Sequence, residues 1–389
     1  MSANPKVAGV NKIVNRWPKG RRKLGQEFDP RKNALNAWRL TLAMGVILWH
    51  SFPLTGRHLL YAPAHQLLSE AWVDGFFAIS GFLITSSWLS NPRPRDYFCA
   101  RGLRILPGLW VCLIITAFVI APIGVAIQGG PAANLLLSRA PIVYVLKNSA
   151  VVWLQPGVGG TPRGIPWPHG WDGSLWTLLW EVLCYIAVAG LGVVGLLSRR
   201  WLIPAVLALA LSWSVLLPPL SVFEEEPPGK LDSATVALVL EAIAARFAVM
   251  FLAGALLYQF RNVIPARWSL VGVSVIIVLA ASLLPNYRLV AAIPLAYAII
   301  VSGALIHDKR LRLRTDLSYG VYIYAFPVQQ LLVICGLGIM NPIVFAIIAA
   351  IATLPLAALS WILVEKPAMS LKSRLTRRAL APARSVSPG

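Results

Sequence analysis

Long blocks of apolar residues without regular alternation dominate the chain. Ten such blocks lie at residues 35–54, 72–90, 105–127, 174–197, 201–219, 240–260, 267–284, 288–306, 317–336 and 341–364. About 20 apolar residues carry an α-helix across the hydrocarbon core of a bilayer. A transmembrane barrel would instead alternate apolar and polar residues with period 2. The pattern therefore predicts an all-α membrane protein with about ten transmembrane helices.

The composition supports the same class. Hydrophobic residues make up 57% of the chain and charged residues only 13%, whereas soluble domains carry about 25% charged residues. The cysteines are scattered, with no CxxC pair and no metal-ligand spacing. The sequence therefore predicts no metal site. The four cysteines are Cys99, Cys112, Cys184 and Cys335.

The Lys and Arg residues are distributed unevenly along the chain, whose formal net charge is +20. If the N-terminus is cytoplasmic and all ten blocks span the membrane, 28 of the 35 Lys and Arg residues fall in cytoplasmic segments and six in outer segments. This is the bias of the positive-inside rule. The charge therefore predicts a topology with both termini in the cytoplasm, and we expect no binding to nucleic acid.

The chain divides into one membrane domain and two basic tails. Residues 1–34 form a basic segment that is too long for the charged start of a cleaved signal peptide, so the first block is expected to be a retained helix. The membrane domain covers residues 35–367, and a second basic tail covers residues 368–389. Both tails are predicted to be cytoplasmic.

Two outer loops follow from this topology. Residues 141–155 are apolar but short and interrupted by Lys147 and Asn148, and if they spanned the membrane the charge asymmetry would disappear. They are expected to belong to a long outer loop, 128–173, and loops of this length commonly line a site. The other loop, 221–239, contains the glutamates Glu224, Glu225 and Glu226.

Few ionisable residues lie inside the predicted helices, and each is a candidate for function because it costs free energy in hydrocarbon. Glu241 and Arg246 lie in the sixth helix, where they can pair with each other or with groups across the bundle. The full set is His50, Asp74, Glu181, Glu241 and Arg246, with Arg39, Arg101 and Arg104 at inner helix ends.

Arg39 and His50 share one face of the first predicted helix, because eleven steps of 100° return to within about 20° of the start. They are about 16 Å apart along the helix axis, with Arg39 at the inner boundary and His50 in the outer half. One interpretation is a boundary arginine that snorkels and a hydrogen-bonded core histidine. The other is a titratable base held within the bundle.

Glu181 and Asp74 are predicted to lie at a depth similar to that of His50. Glu181 is about 10 Å below the outer end of the fourth helix, and Asp74 is near the outer start of the second. A carboxylate beside a histidine fixes its tautomer and supports its charged form, as a general base requires. Alternatively, Glu181 makes an interhelical hydrogen bond and Asp74 caps the membrane interface.

Arg101 and Arg104 lie one turn apart where the third helix begins. Two guanidinium groups on one face bind phosphates well, because their planar forks of donors match phosphate oxygens. An ordinary positive-inside cluster has the same spacing. The two arginines are therefore candidates for a phosphate-bearing ligand.

Six segments resemble, in order, those of the acyltransferase-3 family of membrane acyltransferases, over roughly residues 33–368. The first has the family's Arg-x10-His signature, and the last two match its C-terminal signatures. The segments are RLTLAMGVILWH (39–50), VDGFFAISGFLI (73–84), FCARGLRILP (98–107), SLWTLLWEVLCY (174–185), LSYGVYIYAFPV (317–328) and VEKP (364–367).

The resemblance implies transfer of an acyl group, commonly acetyl, from cytoplasmic acyl-CoA to a hydroxyl of a carbohydrate or lipid-linked glycan. Acyl-CoA is then a co-substrate, no cofactor is bound, and the expected location is a bacterial inner membrane, among membrane lipids. The residues it implies are His50, Glu181 and Asp74 in catalysis, Arg39, Arg101 and Arg104 in donor binding, and Ser174, Trp176 and Arg246 in substrate binding.

The chain departs from the family pattern in two respects. Ala325 stands where many members have His, so whatever that His contributes is absent or supplied elsewhere. The chain also ends soon after VEKP, so we expect no fused SGNH-type esterase domain. Any transfer is then completed by the membrane domain or handed to a separate partner.

Two mechanisms remain open from the sequence. His50, oriented by Glu181 or Asp74, deprotonates the acceptor hydroxyl as a general base, or it carries the acyl group transiently. The rival functions are a transporter or lipid flippase, whose midplane groups bind substrate or protons, and a scaffold without turnover. Three tryptophans of the outer loop suggest stacking on a sugar, although tryptophan is common at membrane interfaces. They are Trp153, Trp167 and Trp171.

Overall fold

The computed structural model describes residues 22–219, 232–313 and 315–371, and this part of the chain contains helices and no β-strands. The acidic run Glu224–Glu226 and most of both basic tails lie outside the described residues. The helices are α1 (Leu24–Glu27), α2 (Leu35–Leu54), α3 (Ala62–Ser90), α4 (Pro94–Ile115), α5 (Ala121–Ile127), α6 (Ala132–Leu137), α7 (Ala140–Asn148), α8 (Trp176–Val193), α9 (Leu202–Leu216), α10 (Ser233–Gln259), α11 (Trp268–Ala281), α12 (Arg288–Leu305), α13 (Ser318–Ile334) and α14 (Pro342–Ser360).

Two long helices contain a π-helical turn, a local widening of the helix. Residues Thr116–Ile120 join α4 to α5, and Trp361–Glu365 continue α14.

The folded part of the chain extends beyond both predicted ends of the membrane domain. At the C-terminal end, the helix that begins as α14 runs on as far as Leu371, past the predicted end at 367. At the other end of the chain, Leu24 of the predicted tail is fully buried, and its N–H donates to the carbonyl of Ile264 (2.9 Å).

Six of the described helices are long and apolar enough to cross a membrane. Helices α9 and α11 are apolar but shorter, and α2 and α13 cover the two remaining predicted blocks. The all-α class is therefore confirmed, whereas the count of about ten spans and the cytoplasmic termini stay predictions. The six are Ala62–Ser90, Pro94–Ile127, Trp176–Val193, Ser233–Gln259, Arg288–Leu305 and Pro342–Leu371.

Helix α3 is central to the bundle and crosses α10 at very short distance. A Cβ atom added to Gly81 would lie 1.9 Å from the carbonyl oxygen of Phe251, and one added to Gly254 would lie 1.9 Å from that of Ala78. Small residues at helix crossings let backbones approach closely in membranes. The two glycines therefore permit a contact that fixes α10 against the face of α3 on which Asp74 lies.

Helix α13 packs between α2 and α14 and is buried along almost its whole length. Ala325 is 2% exposed and belongs to an apolar cluster with Ala43 and Ile47 of α2. The position at which the family resemblance led us to expect His is thus occupied by close helix packing. Gln329, one turn further, donates to the carbonyl of Ile47 (3.0 Å) and to the Ser51 hydroxyl (2.9 Å).

The segment 141–155 does not form a spanning helix. Its helix, α7, has nine residues, Ala140–Asn148, whereas a span needs about 20. The Asn148 side chain then turns the chain back, because its oxygen accepts from the N–H of Leu154 (3.0 Å) and its amide donates to the carbonyl of Gln155 (2.8 Å). The segment forms part of the long loop between α5 and α8.

Candidate active site

Two predicted donor-binding arginines meet on one aspartate at the end of the bundle where α2 and α13 begin, which we call the inner end. Arg39 Nη1 lies 2.8 Å and Arg104 Nη2 2.5 Å from Oδ2 of Asp316. The second oxygen, Oδ1, accepts from the hydroxyl of Ser318 (2.5 Å), in the first turn of α13. Burial opposes ionisation, but the charges of Arg39 and Arg104 hold the pKa of Asp316 well below its usual range.

The third predicted arginine, Arg101, has different neighbours. Its Nη2 donates to the hydroxyl of Ser87 (2.8 Å), and its guanidinium lies over the rings of Tyr97 (5.6 Å) and Tyr185 (5.8 Å). Cation–π contacts of this kind hold a guanidinium in place without neutralising it. Three arginines face two buried carboxylates, because Glu365 also lies near Arg39 and Arg104, and the cluster keeps the net positive charge that phosphate binding requires.

Glu181 lies in the core of the bundle and is linked to this cluster through Tyr185. The Tyr185 hydroxyl donates to Glu181 Oε1, and the Ser80 hydroxyl lies 3.3 Å from the same oxygen. The alternative that Glu181 makes an interhelical hydrogen bond is therefore realised, because Ser80 belongs to α3 and Glu181 to α8. This bond does not remove Glu181 from the cleft described next.

A narrow cleft of about 50 Å³ joins the inner arginines to the level of Glu181. Arg39 and Ser318 lie along it with Glu181 and Tyr322. The hydroxyls of Tyr322 and Thr177 share a hydrogen bond of 2.6 Å. The cleft thus has a cation, a carboxylate and four hydroxyls on its walls, contributed by α2, α8 and α13.

His50 lies further along α2, toward the opposite, outer end. Its imidazole packs edge-to-face on the ring of Phe326, with 5.0 Å between ring centroids. Nδ1 is buried, and no described residue hydrogen-bonds it. The Gln329 side chain donates to the backbone carbonyl of Ile47 and to the side-chain hydroxyl of Ser51, one on either side of His50 in the sequence. The imidazole is therefore fixed in position by packing, with Nδ1 on its buried side.

Two parallel stripes of side chains connect the inner cluster to His50. Arg39 and His50 lie on one face of α2, and Ser318, Tyr322 and Phe326 follow one another at four-residue spacing on α13, which places them on one face. Ser318 contacts Asp316 at the inner end, and Phe326 contacts His50. The two stripes therefore run side by side for about 16 Å from the arginines to the imidazole, and the cleft follows them as far as Tyr322.

Asp74 lies in a separate charged network. Its Oδ1 accepts from Arg246 Nε (2.9 Å), and its Oδ2 accepts from Arg288 Nε (2.6 Å) and from the Tyr287 hydroxyl (2.5 Å). Within the described ranges, neither Asp74 nor Glu181 hydrogen-bonds His50. Arg246 thus pairs across the bundle, and Glu241, its other predicted partner, is exposed.

Ser174 and Trp176, predicted to bind substrate, both make packing contacts. The Ser174 hydroxyl donates to the carbonyl of Tyr322 (3.0 Å), which ties the start of α8 to α13. The Trp176 ring lies 5.6 Å from the ring of Phe247 in α10. Three other residues of α8, Thr177, Leu178 and Glu181, line the inner cleft.

The three tryptophans of the outer loop differ in exposure. Trp171 is fully buried, and its Nε1 donates to the Thr161 hydroxyl (3.0 Å). Trp153 is half-buried. Trp167 is 42% exposed, and its ring lies 6.2 Å from that of Phe326, the residue on which His50 packs. The buried Gln330 fixes this part of the loop by donating to the carbonyl of Trp167 (2.9 Å).

Three charged residues of these networks are absent from the sequence-based candidates. Asp316 is the acidic residue just before α13, and an aspartate before an apolar helix is a recognised start signal. Glu70 lies one turn before Asp74 on the same face of α3, a spacing that could have indicated a shared partner. Arg288, counted as an outer-loop charge, begins α12 and is 4% exposed.

Comparisons with known proteins place the chain in a family. The acyltransferase domain model of the acyltransferase-3 family matches residues 32–362. An O-acetyl transferase of Shigella phage Sf6 is 26% identical over 353 residues, which cover 86% of this chain and 96% of the relative. Nodulation protein 10 of Rhizobium leguminosarum bv. viciae is 27% identical over 368 residues, covering 90% and 96%. No solved structure matches significantly. The chain therefore belongs to the acyltransferase-3 family, and it is a membrane-associated O-acyltransferase.

Proposed function

We propose that this enzyme transfers an acetyl group from acetyl-CoA in the cytoplasm to a hydroxyl of a carbohydrate or lipid-linked glycan on the far side of a bacterial inner membrane. The inner end of the bundle is then the cytoplasmic end. The acetyl group is favoured because the phage relative is named an O-acetyl transferase. Ten spans with both termini inside complete this topology, in agreement with the positive-inside bias.

One observation carries the proposal. Arg39 and Arg104 converge on Asp316 at the inner end of the same two packed helices that hold His50 and Phe326 further out. A cation cluster and a nucleophilic base thus lie about 16 Å apart along the same pair of packed helices. Transfer across a membrane requires this separation, because donor and acceptor approach from opposite faces.

The arginine cluster is suited to the phosphates of coenzyme A. Guanidinium forks bind phosphate through two parallel hydrogen bonds, and Asp316 fixes Arg39 and Arg104 through only one nitrogen each. The three arginines outnumber the two nearby carboxylates, Asp316 and Glu365, which also favours an anionic ligand. We assign Arg39, Arg101 and Arg104 to donor binding on these grounds.

The chemical step is assigned to His50. As a general base, His50 takes the proton of the acceptor hydroxyl while the hydroxyl oxygen bonds to the thioester carbonyl carbon. The carbon–sulfur bond breaks, and the departing thiolate takes the proton from His50. In the relay form, an imidazole nitrogen first displaces the thiolate and then passes the acetyl group to the hydroxyl. Both forms need an accessible ring nitrogen, and because Nδ1 is buried we assign this role to Nε2 of the half-buried imidazole.

The proposal is tested with purified protein in detergent and radiolabelled acetyl-CoA, with a lipid and glycan extract as acceptor. Label is expected in the acceptor fraction, with release of one CoA per acetyl group transferred. If acyl-CoAs of several chain lengths give no transfer, the acetyl-CoA donor is wrong. A transporter or flippase would instead move substrate across vesicles without consuming acyl-CoA.

Replacing Arg104 with glutamine should weaken donor binding. Loss of a charged hydrogen bond costs about 1.5–3 kcal/mol, so we expect the KM for acetyl-CoA to rise roughly 10- to 100-fold. The exposed Arg200, on the same predicted face, provides the control Arg200→Gln. An acetyl thioester of pantetheine, which lacks the phosphates, should be used equally by wild type and Arg104→Gln. If the substitution raises the KM for the pantetheine thioester as much as the KM for acetyl-CoA, Arg104 does not bind phosphate.

Replacing Trp167 with alanine should weaken acceptor binding, because its exposed ring lies next to Phe326 above His50. Aromatic contacts contribute about 0.5–1.5 kcal/mol, which corresponds to a roughly 2- to 10-fold higher KM for the acceptor. Trp167→Phe should retain most of the affinity, and Trp201→Ala, at another exposed tryptophan, should have no effect. An unchanged acceptor KM in Trp167→Ala would exclude stacking at this site.

A further inference from the structure

A cavity of about 420 Å³ opens at the outer end of the bundle, near the charged network of Asp74. It is several times larger than the inner cleft and falls within the size of small-molecule sites, about 300–1,000 Å³. The ends of α3, α9 and α11 and the first parts of α10 and α12 surround it. Its polar wall includes Gln66, Glu70, Ser214, Arg246, Asn286 and Arg288.

The base of this cavity is a buried group of charges with no net charge. Arg246 and Arg288 are 7% and 4% exposed, Glu70 is 8% exposed, and Asp74 is fully buried. Two guanidinium groups thus face two carboxylates. An isolated anion would gain little here, because its attraction to the arginines is offset by Asp74 and Glu70.

Each arginine of this group has an N–H group that it does not use within the group. Arg246 uses Nε for Asp74 and Nη2 for the Glu70 carbonyl (3.2 Å). Arg288 uses Nε for Asp74 and Nη2 for the Glu70 carboxylate. In residues 22–219, 232–313 and 315–371, neither Nη1 has a hydrogen-bond partner, and both arginines line the cavity. Rigid donors of this kind orient a ligand by hydrogen bonding.

Neutral amides and hydroxyls complete the wall. Gln66 donates through Nε2 to the carbonyl of Pro285 (2.9 Å), while its Oε1 is buried without a partner in the described part of the chain. Asn286 donates to the Ser214 hydroxyl (3.0 Å). Donors and acceptors therefore alternate around an electrically neutral cavity. A polyhydroxyl ligand matches this pattern, because every hydroxyl both donates and accepts.

We infer that the outer cavity binds an uncharged sugar residue of the acceptor, beside the residue whose hydroxyl reacts. The cavity adjoins the catalytic helix, since its wall residue His65 packs edge-to-face on Trp49 (4.8 Å), the neighbour of His50. This inference rests on the proposed carbohydrate acceptor. Asp74 then acts as a positioning residue, which fixes the two arginines that face the sugar.

The test uses Gln66→Leu, which removes the unpartnered acceptor and keeps the side-chain volume. We expect the KM for the acceptor to rise roughly 5- to 10-fold, because about one hydrogen bond is lost. The KM for acetyl-CoA should keep its wild-type value. The matched control is Gln128→Leu. Gln128 also donates to a backbone carbonyl, that of Arg163 in the long outer loop (2.7 Å), but it does not line the cavity.

A second measurement needs no transfer assay. Uncharged methyl glycosides should raise the thermal midpoint of wild type and of Gln128→Leu but not of Gln66→Leu. Inorganic phosphate at equal ionic strength, a ligand for the inner arginine cluster, should shift all three proteins alike. A wild type that no glycoside stabilises, or a Gln66→Leu protein stabilised as much as wild type, overturns the cavity assignment. Absence of transfer from acetyl-CoA while the glycosides still stabilise would instead overturn the proposed function alone.

Discussion

Replacing His50 with alanine is expected to lower the rate of acetyl transfer at least 100-fold, the usual contribution of a general base being about 10²–10⁴. Both the base and the relay form of the reaction need the imidazole. Folding should survive the change, because the buried Nδ1 makes no hydrogen bond with a described residue and the ring contacts Phe326 only by packing. The measurement is the initial rate of label transfer from acetyl-CoA, at equal amounts of monodisperse protein.

The matched control for this prediction is His58→Ala, which removes an exposed histidine of the loop after α2 and should leave the rate unchanged. Acid quenching without acceptor then separates the two forms of the mechanism. Label that stays on wild type but not on His50→Ala indicates the relay, and no stable label indicates the base. Transfer that persists in a folded His50→Ala would exclude His50 from the chemistry.

Replacing Asp74 with alanine is expected to cause the largest loss of stability. Asp74 is fully buried and accepts from Arg246, Arg288 and Tyr287. Without it, two buried guanidinium groups lose their shared counter-ion, and breaking a buried pair costs about 3–5 kcal/mol. The thermal midpoint and the yield of monodisperse protein should both fall sharply. Asp74→Asn, which keeps the shape but not the charge, should fall between alanine and wild type.

The control for Asp74 is Asp308→Ala. Asp308 is exposed and accepts only from a nearby backbone N–H, that of Arg310 (2.8 Å), so its loss should change stability little. A wild-type thermal midpoint for Asp74→Ala would show that Arg246 and Arg288 do not depend on Asp74. The positioning role of Asp74 at the outer cavity would then lose its basis.

Features set by local periodicity could be predicted from the sequence. Each apolar block contains a helix, because about 20 apolar residues can satisfy their backbone groups in lipid only in that form. The shared face of Arg39 and His50 follows from helix geometry alone. The distance between them along the helix also follows from its rise per residue. It places Arg39 in the inner cluster and His50 near the outer loop.

The partners of the buried charges could not be predicted in this way. Spacing gives the depth of a residue along its own helix. Asp74 is fully buried, whereas Glu181 is half-buried on the wall of the inner cleft. Spacing does not give the direction in which the neighbouring helix lies. Asp74 faces α10 and α12, whereas His50 faces α13, so residues at similar predicted depth belong to different networks. Close crossing at Gly81 and Gly254 decides this arrangement, and it is a property of two helices together.

Transfer through the bundle, from a donor at the inner end to an acceptor at the outer end, can be tested in sealed everted membrane vesicles that contain the protein. The acceptor glycan is enclosed, and radiolabelled acetyl-CoA is added outside. We predict that the enclosed glycan becomes labelled in everted vesicles, whose exposed face is the cytoplasmic one, and stays unlabelled in right-side-out vesicles. Labelling that occurs only when acetyl-CoA and glycan are on the same side would contradict the account.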